Sequence, residues 1–384
     1  MFKKDYVLVL PSWYPSRVNE FNGDFNQRTI EALSSKFHQV VIYLVADKNL
    51  KKLEIQRREN NQITTIIGYY PKSRFKWISF LRYFFNYLKI TNYEIKNRGI
   101  PIYIHTYVFF PAGLISLYFS KKLQVKSVLT EHWTAFYNFD QNSLSSRFFL
   151  LKYLFKKILS SFHLILPVAK ALELEMKKWN NKASYKVIPN VVNTDKFNLA
   201  DANKYDEFTF LHVSTLSYQK NPEMLLDAFV DFLILNPKVK LNIIGPENSH
   251  LKEKVENSAS LKNAVKFLGE MEHHFVADEM KRCHVFVLNS RFENLPCVIL
   301  EALCCGLPVI STDVGGVSEI LNEENGVLFT EGKKDELIQS LYRFYQSYKK
   351  YHLATISESA IRKYNFQTIA DETWGTLKTN NICS

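Results

Sequence analysis

Residues 290–319 read SRFENLPCVILEALCCGLPVISTDVGGVSE, and this stretch decides the fold prediction. Its mostly apolar run at 298–303 predicts a buried helix. Asn294 is a suitable cap for the start of that helix, and Pro296 suits its first turn. Gly306 fits the left-handed residue that follows a helix end, so the helix is predicted to stop there. A helix followed by a short buried strand is typical of parallel α/β sheets.

Two carboxylates flank the start of this predicted helix. Glu293 precedes the helix, and Glu301 is expected about two turns inside it, roughly 12 Å along the axis. The backbone N–H groups of 295–298 lie between them, and a helix N-terminus suits a diphosphate. Carboxylates suit the hydroxyls of neutral polyols, so the pair fits a nucleotide sugar. The alternative is an ordinary helix with one capping acid and one solvated acid, which the spacing alone favours.

The residues around the two acids form a longer pattern. Ser-x-x-Glu is followed by Pro, Leu-Glu-Ala, Gly-x-Pro-Val and Asp-Val-Gly-Gly. This pattern resembles the donor-site signature of glycosyltransferase family 4, the group 1 glycosyl transferases. The resemblance implies a GT-B fold, with two Rossmann-like doubly wound domains facing a central cleft. It also implies a retaining, metal-independent enzyme that uses a nucleotide-activated sugar. Asn294 stands where the family usually has Gly, which leaves the identity of the sugar open.

Size and composition agree with a two-domain globular protein. The chain has 384 residues, of which 46% are hydrophobic and 23% are charged. Its formal net charge is +11, but the bases are spread along the chain and form no nucleic-acid-binding motif. Phosphorylated ligands or an anionic membrane surface are therefore the predicted partners, and nucleic acid is not. The five cysteines form no Cys-x-x-Cys pair, which favours free thiols in a reducing cytosol.

Two segments combine basic and aromatic residues. Residues 74–90 are predicted to form a helix with a narrow polar stripe on an otherwise apolar surface. This pattern fits either a core helix with one wet edge or an interfacial helix whose bases meet lipid phosphates. Residues 145–161 have a similar composition and are predicted to pack instead, because a strand follows. No stretch of 18 apolar residues exists, so the predicted location is cytoplasmic, with peripheral contact to the inner face of the cytoplasmic membrane as a possibility.

Short apolar runs alternate with helical stretches in both halves of the chain, which predicts parallel, doubly wound α/β sheets. The strands exceed one typical sheet, so two domains are expected, at 1–188 and 189–365. The resemblance implies that the first domain binds the acceptor and the second the nucleotide-sugar donor. A hinge is expected near 189–193, and a helix at about 366–384 is expected to close the second domain or to pack back on the first. The predicted strands are 6–10, 40–45, 102–105, 127–130, 164–166, 186–188, 208–213, 239–244, 265–268, 285–288 and 308–311.

Candidate site residues of the first domain follow predicted strands, where open parallel sheets carry ligand-binding groups. For Gly23 the resemblance implies contact with the donor phosphates, and a simple turn glycine is the equal alternative. For His132 it implies a catalytic position near the donor's sugar and phosphate. His105 and Glu131 are assigned to the acceptor side, although Tyr107 replaces the second His of the family's His-x-His segment. The alternative for each side chain is a local role, as a hydrogen-bonding histidine or a solvated acid.

In the second domain, Lys220 lies in the turn between a predicted strand and a helix, where its ammonium can reach a phosphate. The family pairs an Arg and a Lys in this turn. Here Thr215 stands at the Arg position, so Lys220 is expected to carry more of the neutralisation. Arg291 is a second candidate for the phosphates or else a surface residue. Gly245 and Gly269 follow strand ends that line the base pocket in the family, and each alone is only a turn glycine.

The resemblance also implies a division of roles. Glu293 would hydrogen-bond the sugar hydroxyls and Glu301 the ribose, and the predicted catalytic residues are Glu293, His132 and Lys220. Fixed donors stabilise the charge that develops on the leaving phosphate. No metal site and no cofactor are predicted, since the nucleoside-diphosphate sugar is a substrate. The diphosphate is assigned to Lys220, Thr215 and the backbone amides of 295–298. The predicted donor-binding residues at the helix start are Asn294, Leu295, Pro296, Cys297 and Val298.

The predicted activity is transfer of a hexosyl group, with retention of configuration, to a hydroxyl of a glycan or lipid-linked acceptor. Cell-surface polysaccharide biosynthesis is the expected setting. Two alternatives stay open: a nucleotide-sugar epimerase of the same fold, which would need no acceptor, and a non-catalytic sugar-nucleotide-binding subunit. The substitutions at Thr215 and Asn294 favour the second alternative, and both acids together with Lys220 count against it.

Overall fold

Runs of Val, Ile, Leu and Tyr form buried strands in a computed structural model that describes residues 5–137, 143–199 and 203–383. Such side chains fit parallel strands that are buried on both faces, where no alternation with polar residues is needed. The strands are β1 (Val7–Pro11), β2 (Gln39–Asp47), β3 (Glu54–Asn60), β4 (Ile63–Pro71), β5 (Ile104–Tyr107), β6 (Ser127–Glu131), β7 (Leu164–Pro167), β8 (Ser184–Tyr185), β9 (Thr209–Val213), β10 (Lys240–Ile244), β11 (Val265–Gly269), β12 (Val285–Leu288), β13 (Val309–Thr312) and β14 (Gly326–Phe329).

Helices connect these strands, and in unit 1 they cover both faces of the sheet. They are α1 (Asp24–Leu33), α2 (Lys76–Arg98), α3 (Ala112–Leu123), α4 (Phe149–Leu159), α5 (Lys170–Lys177), α6 (Pro222–Leu235), α7 (Ser249–Glu256), α8 (Ala259–Ala264), α9 (His273–Arg282), α10 (Cys297–Cys304), α11 (Lys334–Ser347), α12 (Leu353–Tyr364) and α13 (Phe366–Thr379).

The chain divides into two units. Unit 1 comprises Met1–Val191 and Phe366–Ser384, and unit 2 comprises Val192–Asn365. The sequence-based boundary followed residue 188, and the division in the structure falls after Val191. Helix α13 belongs to unit 1, where Ile369 and Leu377 join the hydrophobic core and the Trp374 ring lies 4.8 Å from that of Phe37.

Unit 1 is built on an eight-stranded sheet in the order β3-β4-β2-β1-β5-β6-β7-β8. Among the described residues its strands pair in parallel, apart from the antiparallel hairpin of β3 and β4. One face of the sheet packs against α2 and α3 through residues such as Leu8, Ile42 and Tyr87. The other face packs against α1 and α13 through residues such as Val9 and Ile30.

Unit 2 is built on a six-stranded parallel sheet in the order β11-β10-β9-β12-β13-β14. The strands run outward from the centre in two directions, because β10 lies outside β9 and β13 lies outside β12. The predicted parallel, doubly wound α/β architecture is confirmed in both units.

Three strands were not predicted, and one prediction is wrong. Strands β3, β4 and β14 were missed, and the strand expected at 186–188 occurs instead at Ser184–Tyr185. The sequence of β3, EIQRREN, has mostly exposed side chains because β3 lies at the edge of its sheet. A polar edge strand protects a sheet against pairing with other chains, but it carries no apolar run by which to recognise it.

Two histidines are buried within the central strands. His105 of β5 shares a 2.8 Å hydrogen bond between its Nε2 and Thr130 Oγ1 of β6. In unit 2, His212 Nδ1 lies 2.9 Å from the Val287 carbonyl oxygen, and its Nε2 lies 2.8 Å from Ser214 Oγ. Burial lowers the pKa of His105 to about 3 and that of His212 to about 4, so both rings are neutral near pH 7.

We expect Leu377→Ala to destabilise unit 1, because the side chain of Leu377 is fully buried in its core. A Leu→Ala change of this kind costs about 2–5 kcal/mol, since it removes buried apolar area and leaves a cavity. Urea denaturation followed by fluorescence measures the loss. The matched control is Thr379→Ala at an exposed position of the same helix, expected within about 0.5 kcal/mol of wild type. Equal effects of the two changes would contradict the packing of α13.

We expect His105→Gln to reduce the acid sensitivity of unit 1. The unfolded chain binds a proton at this histidine below about pH 6.5, whereas burial in the folded state lowers its pKa to about 3. The burial of the neutral ring therefore costs no stability above pH 6.5. Between about pH 6.5 and pH 3 the unfolded chain binds one more proton than the folded chain, so the unfolding constant rises by up to about tenfold for each pH unit that the pH falls. Urea denaturation at a series of pH values compares the slopes. The exposed His352 provides the control, His352→Gln, and equal slopes for all three proteins would refute the assignment.

Candidate active site

Strands β9 and β12 are neighbours at the centre of the unit 2 sheet, where the strand order reverses. In open α/β sheets, ligands bind at the carboxyl ends of the strands at such a reversal. Lys220 closes the 3-10 turn Tyr218–Lys220 after β9, and Glu293 lies in the loop after β12. Their side chains form an ion pair between Lys220 Nζ and Glu293 Oε1, and both are largely buried. The fold thus joins two of the predicted catalytic residues.

Further polar contacts hold the Glu293 carboxylate. Ser290 Oγ donates to Glu293 Oε1 over 2.7 Å, and Gln219 Nε2 donates to the Phe292 carbonyl oxygen over 2.8 Å. Gln219 Nε2 also lies 3.5 Å from Glu293 Oε2. The sequence analysis gave no role to Ser290 or Gln219, although Ser290 opens the Ser-x-x-Glu pattern and Gln219 precedes Lys220. A carboxylate accepts about four hydrogen bonds, so Glu293 keeps capacity on its Oε2 side.

The Gly-Gly turn after β13 supports the same loop. Gly315 has a φ of +58°, and a Cβ atom at this position would lie 1.9 Å from the Glu293 carbonyl oxygen. The backbone N–H of Gly316 donates to the Asn294 carbonyl oxygen over 2.7 Å. The missing side chain of Gly315 therefore permits the close approach that holds the backbone of Glu293 and Asn294.

Helix α10 begins later than the sequence suggested. Its first helical residue is Cys297 and its cap residue is Pro296, so the prediction that Asn294 caps the helix is wrong. Glu301 lies in the second turn, about 6 Å along the axis from Cys297, and not two full turns inside the helix. Its side chain is buried. The helix does start between Glu293 and Glu301, as expected, but its first residue is Cys297, so its N-terminus lies further from Glu293 than predicted.

Arg291 holds the turn that carries Lys220. Its guanidinium donates to Asn221 Oδ1 over 2.8 Å and to the Tyr218 carbonyl oxygen over 3.2 Å, and lies 4.4 Å from the centre of the Tyr218 ring. Its backbone N–H donates to the Gln219 carbonyl oxygen over 2.8 Å. Arg291 was proposed as a phosphate ligand, and the structure gives it a positioning role in this turn.

The remaining predicted residues of unit 2 lie at neighbouring strand ends. Thr215 follows β9, and its hydroxyl donates to Ser217 Oγ over 3.1 Å in an exposed loop. The backbone N–H of Gly245, after β10, donates to the Gly269 carbonyl oxygen at the end of β11 over 3.0 Å. The carboxyl ends of β9, β10 and β11 therefore carry these three residues along one edge of the sheet.

In unit 1, the close backbone approach permitted by Gly23 is to the chain itself. Gly23 caps α1 with a φ of +72°, and a Cβ atom there would lie 2.5 Å from the Trp13 carbonyl oxygen. Asn26 Nδ2 donates to that same oxygen over 2.8 Å. These contacts explain Gly23 as a turn glycine, the alternative to the predicted phosphate contact.

Glu131 is fully buried at the end of β6. Its carboxylate accepts backbone N–H bonds from Phe109 at 2.9 Å, from His132 at 2.8 Å and from Trp133 at 2.8 Å. Burial raises the pKa of Glu131 to about 7, while these three bonds act in the opposite direction. A fully buried carboxylate has no surface for acceptor hydroxyls, so the predicted acceptor contact is not supported. Glu131 instead holds the loop that carries His132.

His132 and His105 have different surroundings. His132 is partly exposed as a residue, but its Nε2 atom is buried. Its ring centre lies 4.5 Å from that of Phe25, and it hydrogen-bonds the Asn190 side chain. Burial of the ring lowers the pKa of His132 to about 3. His105 is buried in the sheet and stacks on Tyr107 with ring centres 4.4 Å apart. Burial leaves His105 little surface for an acceptor, and the assignments of His105 and His132 both stay predictions.

Comparison with known proteins agrees with this geometry. The family model for glycosyl transferases group 1 matches residues 194–360, and the model for glycosyltransferase family 4 matches residues 25–196. An uncharacterized glycosyltransferase of Methanocaldococcus jannaschii is 29% identical over 305 residues, which cover 77% of this chain and 80% of that protein. The putative teichuronic acid biosynthesis glycosyltransferase TuaC of Bacillus subtilis is 24% identical over 368 residues, which cover 88% of each chain.

Among solved structures, Anabaena HepE in complex with UDP has a TM-score of 0.73 at 19% sequence identity, covering 97% of this chain and all (100%) of that one. The two family matches together run through both units, from residue 25 to residue 360. Unit 2 joins the signature residues of the family at the strand-order reversal of its sheet. The chain therefore belongs to glycosyltransferase family 4 and is a glycosyltransferase of the GT-B fold, with two Rossmann-like units.

Proposed function

We propose that unit 2 binds a nucleoside-diphosphate sugar and that the enzyme transfers its hexosyl group, with retention, to a hydroxyl of a glycan or lipid-linked acceptor. The observation that carries this proposal is the buried Lys220–Glu293 pair at the strand-order reversal of the unit 2 sheet. A cation for the diphosphate and a carboxylate for the sugar hydroxyls are thus adjacent on the loops after β9 and β12.

Each charge of the pair has a proposed role. The Lys220 ammonium neutralises negative charge that develops on the departing phosphate, together with the partial positive charge at the start of α10. The Glu293 carboxylate accepts hydrogen bonds from the sugar hydroxyls on its Oε2 side, because Ser290 and Lys220 contact Oε1. Glu301, in the second turn of α10, is proposed to bind the ribose hydroxyls.

In unit 1, His132 is the proposed catalytic residue. Because burial lowers its pKa to about 3, the imidazole is neutral near pH 7 and offers one donor and one acceptor. Glu131 fixes the backbone on which His132 sits, through its bonds to the N–H groups of His132 and Trp133. A neutral, oriented imidazole suits a hydrogen bond to a sugar hydroxyl or a phosphate oxygen.

The named relatives suggest which substrates to test first. HepE was solved with UDP, and TuaC is named for teichuronic acid biosynthesis. These names support a UDP-sugar as the first donor and a cell-surface polysaccharide or its lipid-linked precursor as the first acceptor. Incubation of the enzyme with each UDP-sugar and such acceptors, followed by product analysis, tests the proposal. A changed sugar in the absence of acceptor would indicate an epimerase instead.

We expect Glu293→Gln and Lys220→Ala each to reduce the rate of donor-dependent transfer by about a hundred- to a thousandfold. Loss of Lys220 removes a fixed group that stabilises developing charge, which costs about this much. Loss of the Glu293 charge weakens its hydrogen bonds to the sugar hydroxyls and leaves Lys220 without its buried partner. Product formation at saturating donor measures the effect, and a thermal melt checks that each variant is folded. The matched control is Lys238→Ala at an exposed position of unit 2, expected to keep full activity. Full activity in both site variants would defeat the assignment.

We expect transfer to proceed without a divalent cation, because Lys220 and the start of α10 supply the positive charge for the leaving diphosphate. The rate measured after dialysis against EDTA is expected to equal the untreated rate, and added Mg²⁺ is expected to leave it unchanged. A rate that falls after dialysis and returns with Mg²⁺ would show that a metal ion takes part.

A further inference from the structure

Two helices of unit 1 carry aromatic side chains that the fold leaves exposed. On α2, Trp77 is 64% exposed and Phe85 is 63% exposed. At the start of α4, Phe149 is 65% exposed and Tyr153 is 68% exposed. Isolated exposed apolar residues are ordinary, but a cluster of large ones marks an interaction surface. We call these four residues and their exposed neighbours on α2 and α4 the aromatic face.

The packing of the two helices explains why these residues point outward. Helix α2 buries the stripe Tyr83, Tyr87 and Ile90 against the sheet of unit 1. Helix α4 buries Phe155, Ile158 and Leu159, which lie in its second half. Helix α3 contacts both α2 and α4, and α2 and α3 pack on the same face of the sheet. Other side chains of α2, such as Trp77 and Phe85, and those of the first turn of α4, such as Phe149, are left exposed.

This arrangement corrects two sequence-based predictions. A core helix with one wet edge does not describe α2, because Trp77 and Phe85 are exposed. The expectation that 145–161 packs holds for Phe155 but is wrong for Phe149 and Tyr153. Helical periodicity identified the narrow polar stripe of 74–90, and composition drew attention to 145–161, but neither could show how few residues each helix buries.

The charge around the aromatic face has one sign. Residues 71–93 and 143–163 contain no Asp and no Glu, although the whole chain has 38 acidic residues. These two segments therefore offer cations beside aromatic rings and contribute no anion, and the acid of α2, Glu94, is buried and paired with Arg57 and Arg98. The bases of the two segments are Lys72, Arg74, Lys76, Arg82, Lys89, Arg147, Lys152, Lys156 and Lys157.

We propose that the aromatic face binds the surface of an anionic lipid bilayer. Trp, Tyr and Phe side chains favour the boundary between headgroups and acyl chains, where flanking bases meet lipid phosphates. In the part of the chain that the structure describes, no helix has the length and hydropathy needed to cross a bilayer. The contact is an interfacial one, made by the outer sides of α2 and α4.

A second copy of the chain fits the aromatic face less well than an anionic bilayer does. Two aromatic faces packed together would bring their bases against each other, and like charges across an interface cost affinity and suppress the pairing. An anionic bilayer instead pairs each base with a lipid phosphate. The positive charge of the aromatic face thus favours an anionic surface. Its aromatic rings favour a surface with an apolar layer beneath the headgroups, which a lipid bilayer provides.

The test is sedimentation of the purified protein with vesicles of phosphatidylcholine, with and without phosphatidylglycerol. Wild type is expected to bind the vesicles that contain phosphatidylglycerol and to lose this binding at high salt. Lys76→Glu with Lys89→Glu is expected to weaken binding at least about twenty-fivefold, since each base contributes about fivefold near such a surface. The control with the same change of net charge is Lys238→Glu with Lys266→Glu on unit 2, expected to bind as wild type.

The apolar part of the contact is tested separately. Trp77→Ser with Phe85→Ser is expected to weaken binding about tenfold or more while the charge stays unchanged. Brominated lipids are expected to quench fluorescence in wild type and to quench less in Trp77→Phe. Absence of wild-type binding, equal binding by all variants, or a dimer that forms through this face and excludes vesicles would overturn the proposal. The measurement uses no donor sugar, so its failure would leave the proposed transfer reaction untouched.

Discussion

The ion pair between Lys220 and Glu293 is the interaction on which the unit 2 site depends. Taking two charges out of water costs several kcal/mol for each ion, which close contact and additional hydrogen bonds must offset. Here Ser290 supplies such a bond to Glu293 at 2.7 Å. Either charge alone would be buried without its partner. The pair therefore couples the loop after β9 to the loop after β12, at the point where the strand order of the sheet reverses.

Residues around the pair act by holding backbone. Arg291 ties the turn that carries Lys220, through Asn221 and the Tyr218 carbonyl oxygen. Gly315 lets the turn after β13 approach the carbonyl oxygen of Glu293 closely. The signature motif is therefore more than a set of substrate ligands, because several of its members position the chain that bears the charges. Rigid support of this kind preorganises a site for charge that develops during reaction.

Unit 1 has two notable features, a buried carboxylate next to His132 and an exposed aromatic face on α2 and α4. Inside, the buried Glu131 carboxylate accepts three backbone N–H bonds and so orders the loop of His132. Outside, α2 and α4 bury only part of their apolar residues and expose the rest beside bases. Aromatic residues of α2 and α4 thus contribute both to the core and to the exposed face. The packing of each helix decides which of its aromatic side chains is buried and which is exposed.

The sequence by itself determined the two parallel α/β sheets and the family, because periodicity and local motifs record which faces are buried and which turns are required. It also singled out Glu293 and Lys220 as candidates for the site. Only the tertiary structure decided that Glu293 pairs with Lys220 and that Arg291 holds the Lys220 turn, since these contacts join loops far apart in the chain. Burial of His105 and Glu131 was decided there too, because a polar residue after a strand looks the same in sequence whether it faces solvent or the core.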